Sequence, residues 1–165
     1  MALLGRFALV SMVIMLLTGA EKKEAVPLMS WVEDTLLAEI KNDALLGAPW
    51  FAGHVLKTDE QYFRSYFKEQ VQVNGLVLNN VDVRIAQAAP RRYLVMFDLP
   101  RQPCVPLDQV IATDGNGEHR PPSPHDLRQI ASYAVRRGIA EVVFGYEARA
   151  AQPCVTGMAI QYFEK

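Results

Sequence analysis

The spacing of apolar residues divides this chain into stretches of several kinds. From Phe7 to Leu17 every residue except Ser11 is apolar. Val32, Leu36, Ile40 and Ala44 then recur at four-residue spacing, with Leu37 widening the stripe, which predicts a helix with one buried face. Ser30 and Glu33 form a capping box that would open it, and Gly47 before Pro49 would close it, leaving Trp50 and Phe51 to fold back. A weaker box, Thr58 with Gln61, precedes Tyr62, Phe63, Tyr66 and Phe67, which fall on one face of a second expected helix. Their interleaving with Arg64 and Lys68 could suit base stacking, but two cations make a poor electrostatic footprint, and packing against the strand around Leu94–Phe97 is the expectation.

From Val71 the period changes to two. Val71 and Val73 lead into Asn74-Gly75, a strong hairpin signal because both residues tolerate positive φ. Strand pattern continues from Leu76, with Asn79-Asn80 as either a turn or a bulge, through Val81, Val83 and Ile85. Tyr93–Leu99 is densely apolar, interrupted only by Asp98, which predicts a central strand buried on both faces. Residues 100–123 hold five prolines and two glycines and read as irregular, apart from a short strand at Val110-Ile111. Ser123-Pro124 then resembles a helix start, with Leu127, Ile130, Ala131, Ala134 and Val135 as its buried stripe and Gly138 as its left-handed cap. Two strands close the chain, from Ile139 to Ala148 and from Val155 to Phe163, with Gly157 as an expected bulge. The expected fold is α+β: a mainly antiparallel sheet of four to six strands, two N-terminal helices, one inserted helix and one disulfide.

The first twenty residues add an address. Arg6, the apolar run and the small Thr18-Gly19-Ala20 follow the order of a cleavable signal peptide, and the run falls short of the roughly 20 apolar residues of a membrane-spanning helix, which leaves an uncleaved anchor and a plain N-terminal helix as the lesser alternatives. Residues 1–20 are therefore read as signal peptide, 21–29 as a solvated lead-in and 30–165 as a single domain, with no stable membrane anchor after cleavage. No Asn-x-Ser/Thr acceptor occurs, so the expected destination is a bacterial periplasm rather than a glycosylating pathway. Cys104 and Cys154 sit in the same frame, Gln-Pro-Cys-Val, and in an oxidising compartment they should form one structural disulfide.

Charge is balanced, 17 Lys plus Arg against 18 Asp plus Glu, and scattered, which argues against nucleic acid as a partner. Candidate chemistry is sparse. The cysteines lack redox or metal-ligand spacing. His119, His125 and Asp126 lie in a polar stretch with Asp114 and Glu118, yet proline-rich sequence separates the two imidazoles, so no metal site is expected; His54 stands apart. Asp114-Gly115-Asn116-Gly117-Glu118 starts like a calcium loop but places His119 and His125 where Gly and a bidentate Glu belong. No nucleophile elbow and no phosphate-binding glycine loop are present, so no cofactor is expected and the balance is against an enzyme. The leading expectation is an exported non-catalytic binding protein, most concretely a periplasmic inhibitor or immunity-type protein blocking a toxin or wall hydrolase. Asp114, Asn116, Glu118, His119 and Arg120, on a segment stiffened by prolines, are its candidate protein-contact residues. A small-ligand binder with a pocket between the aromatic helix and the sheet, and a small exported hydrolase, are the alternatives.

Overall fold

Among the described residues eight antiparallel strands form one sheet in the order β1-β2-β3-β4-β8-β7-β6-β5. The computed structural model describes residues 26–52, 56–59 and 62–164. The expected signal peptide, the lead-in up to residue 25 and His54 lie outside them; from Val26 the expected solvated lead-in is instead helical, with Leu28 and Met29 buried in the core.

The chain writes the same order twice. A helical segment comes first: α1 (Val26–Trp31) runs through a π-helical stretch, Val32–Leu36, into α2 (Leu37–Lys41). Four strands follow, β1 (Leu56–Asp59), β2 (Phe63–Val73), β3 (Leu76–Ala86) and β4 (Arg92–Asp98). Then α3 (Leu107–Asp114) precedes β5 (Glu118–Arg120), β6 (Ile130–Arg137), β7 (Ala140–Glu147) and β8 (Val155–Phe163). The two four-stranded meanders meet last strand to last strand, where β4 pairs with β8. The sheet thus has twice the strands of either half and exceeds the expected four to six.

One face carries the core. Leu28, Val32, Leu36 and Ile40 from the first helical segment and Leu107 and Val110 from α3 are buried with Val83, Val95, Phe97, Tyr133, Val142, Phe144 and Ile160 of the sheet. Alternation along each strand then sends the intervening side chains to the opposite face. Along β4 burial alternates between buried Tyr93, Val95 and Phe97 and half-buried Leu94 and Met96. The strand is central, as its dense apolar run predicts, but it is fully covered on one face only.

Three expected elements have a different identity. The second helix is absent: Phe63 and Phe67 lie in β2, paired with β3 from Phe63↔Ala86 to Val73↔Leu76. Aromatic residues suit a pleated surface as well as a helix, and this long ladder decides the matter. Phe67 projects away from the core face and Tyr62 is 69% exposed, so the expected packing of this stripe against Leu94–Phe97 does not occur. The inserted helix is also absent. Asp126 Oδ1 and Oδ2 accept the backbone N–H groups of Arg128 and Ile130, at 2.9 and 3.1 Å, and that local turn competes with helical bonding before β6 begins. Gly138 does take positive φ, but as the first residue of the tight β6–β7 turn. Conversely, the irregular stretch contains a helix: Leu107, Val110 and Ile111 follow helical spacing, and Gly115 at φ 55° ends α3 with its N–H donating to the Ile111 carbonyl. The first helix begins before Ser30, so the expected capping box lies inside it.

Other features match the pattern. Asn74 and Gly75, at φ 48° and 80°, form the β2–β3 turn. Asn79-Asn80 is a bulge, with Asn80 at φ 52° and a register shift between Asn79 and Asp82. Trp50 folds back edge-on to Trp31 at 5.2 Å, and Phe51 is buried. Cys104 and Cys154 are joined, tying the segment that leaves β4 to the start of β8, and the Val155 N–H donates to the Val105 carbonyl beside the bridge.

Candidate functional site

The sheet face opposite the helices is organised in rows, because directly paired residues on neighbouring strands share a face. One row crosses five strands as Ser132, Gly145, Gly157, Asp98 and Asn79. The next runs Ala134, Val143, Ala159, Met96, Asp82 and Phe67. A third runs Arg136, Glu141, Gln161, Leu94, Arg84 and Ser65. The middle row is largely apolar and half-buried; its neighbours are glycine-rich on one side and ionic on the other.

Two facing glycines, Gly145 and Gly157, leave a step in this surface where no side chain stands. A concavity of about 950 Å³ opens over it, lined among others by Phe67, Met96, Asp98, Arg128, Ile130 and Ser132. Interior strand glycines often mark places where another group approaches the backbone closely. A side chain at Gly145 would meet Ile130 Cγ2 at 3.4 Å, an ordinary contact, so a larger residue fits there and would fill the step.

Ion pairs ring the apolar centre. Arg84 donates to Asp82 at 2.8 Å, Arg101 to Glu147 at 3.0 Å and Arg120 to Glu141 at 2.8 Å. The bidentate Arg120 fork holds the Glu141 carboxyl below its ordinary range and raises Arg120 in turn. Asp98 differs. Its Oδ2 accepts the Asn80 side-chain amide at 2.8 Å, and among the described residues it has no ion pair. Asp82 leaves Oδ1 buried with no hydrogen-bond partner.

The five candidate contact residues do not converge on one loop. Asp114 closes α3, Asn116 is exposed in the following turn, and Glu118, His119 and Arg120 make up the edge strand β5. Glu118 and Arg120 point with the open face and Arg120 joins its ionic rim, whereas His119 points to the other side. There its ring packs on Tyr133 at 4.9 Å and Nδ1 lies 3.0 Å from the Tyr146 hydroxyl. Tyr133 in turn accepts the Gly117 N–H at 2.8 Å, anchoring the turn before β5. His125 is exposed in the turn before β6, five residues beyond the end of β5. Among the described residues no three His, Cys, Asp or Glu side chains cluster in a way that could hold a metal ion. The pocket expected between an aromatic helix and the sheet has no counterpart, since that helix is a strand.

Sequence reasoning missed the open-face residues. The one available signal was Gly145 and Gly157, each interrupting an apolar strand pattern. No family model, curated protein or solved structure matches this chain.

Proposed function

We propose that this is an exported, non-catalytic binding protein that docks a partner protein on its open sheet face, in the manner of an inhibitor or immunity protein. The observation that carries the reading is the composition of that face: an apolar centre of Met96, Val143, Ile130 and Phe67 surrounded by ion pairs. Protein-binding surfaces combine such a centre, which gains from desolvation, with a polar rim that remains wet. Eight strands span roughly 35 Å at about 4.8 Å per strand, broad enough for a standard interface. Export is supported by the three-zone N-terminus and by the formed disulfide. Among the described residues no helix is long and apolar enough to cross a membrane.

The test is capture of a partner from an exported-protein extract, followed by its identification and measurement of its affinity for variants. Met96→Glu places an unpaired charge at the apolar centre and should weaken binding at least a hundredfold, while the paired change Asn116→Ala and His119→Ala leaves it within about twofold. The opposite pattern would return the contact to the β5 region. A second reading is favoured by the size of the concavity, which lies within the range of small-molecule sites. On that reading a fragment screen yields compounds that raise the melting temperature of the wild type but not of Gly145→Val, and no protein is captured.

A further inference from the structure

We propose that Asp98 is the recognition point of the open face for a lysine ammonium presented by the partner. The inference rests on the docking surface described above and names the chemistry that one position on it selects. The other charges lining the concavity have opposite charges beside them: Asp82 has Arg84, Glu147 has Arg101, and Arg128 has Asp126 at 4.0 Å. Among the described residues Asp98 has a neutral neighbour only, the Asn80 amide on Oδ2. Its other oxygen, Oδ1, lies 3.3 Å from the place where a Gly157 side chain would begin, so it borders the step that the glycines leave vacant.

The backbone is shaped around this carboxylate. The extra residue of the β3 bulge and the left-handed conformation of Asn80 bring its amide to Asp98. Bulges re-aim side chains in this way. Asp82, one row along on the same wall, keeps Oδ1 without a donor. A group entering here meets a net negative charge and, at Asp98 Oδ1, a carboxylate oxygen with free acceptor capacity. An ammonium carries one positive charge and three rotatable donors, and the lysine stem is apolar enough to lie against Met96. An anionic group would meet repulsion, and a neutral side chain would leave the Asp98 charge unpaired beneath a docked partner.

The experiment uses two blocked tripeptides, Ac-Leu-Lys-Leu-NH2 and the same peptide with Nε-acetyl-lysine, titrated into the full chain and followed by amide chemical shifts. The lysine peptide should shift Gly157, Asp98 and Gly145 and bind about tenfold more tightly than its acetylated form, and Asp98→Asn should abolish that difference. Raising salt should narrow it. Equal affinity of the two peptides on the open face, or a lysine preference unchanged in Asp98→Asn, would overturn the assignment while leaving the docking face in place. Shifts confined to other surfaces would overturn both.

Discussion

Asp43 shows how one side chain fastens the helical segment to the sheet. It sits at φ 57° just after α2, accepts hydrogen bonds from the Tyr93 hydroxyl and the Arg91 guanidinium, and is held below the ordinary carboxylate range chiefly by these bonds. A carboxylate depressed by folding stabilises the fold fully above its unfolded value, near about pH 3.9, and loses that contribution as pH falls through the lower folded value. Asp43→Asn should therefore flatten the decline of the urea midpoint over that acid range, with a small effect near neutrality because the pair is half exposed. An unaltered acid limb would show that the latch does not matter. Burial separates two phenylalanines in the same way. Phe144 is fully buried, and Phe144→Ala should cost about 3–5 kcal/mol by urea denaturation. Phe67 is half-buried on the open face, and Phe67→Ala should cost less than about 1.5 kcal/mol while weakening partner affinity. Equal costs would place Phe67 in the core after all.

Among the elements, the disulfide closes a stretch of 50 residues that includes α3, β5, β6 and β7. Joining residues that far apart restricts the unfolded chain, and replacing both cysteines by serine should lower stability by roughly 2–5 kcal/mol in equilibrium denaturation. A smaller loss would mean that the Val105–Val155 and Leu107–Pro153 backbone bonds hold the junction unaided. The bridge, the Asn74-Gly75 hairpin and the two final strands were legible because each depends on local chemistry: paired cysteine frames, residues tolerant of positive φ, and period-two alternation. The elements that changed identity depend on distant partners. Residues 63–67 satisfy helical spacing, yet ten pairings with β3 and four with β1 make β2 a strand. Ile130–Arg137 could be read either way until β5 and β7 flank it. In α3 the order is reversed: prolines on both sides concealed a helical triplet, Leu107, Val110 and Ile111, because Pro106 serves as its extended N-cap and so starts the helix rather than preventing it.

On the scale of the whole molecule, both helical segments lie on one side of an eight-stranded sheet, and the proposed docking face is the other side. No single stretch of sequence carries that face; it is assembled from alternate residues of β2, β3, β4, β6, β7 and β8. This is why the face is illegible without the strand register, whereas the charged segment near Asn116 is continuous in the sequence. Hydroxyl-radical footprinting of the protein, alone and saturated with its captured partner, tests the claim most directly, because it reads side chains rather than backbone. Docking on the open face should protect Met96, Phe67 and Leu94, while Trp50 and Leu46, on the helical side, are modified equally with and without the partner. Protection of His119 and Leu127, with Met96 modified as fast in the complex as in the free protein, would contradict it.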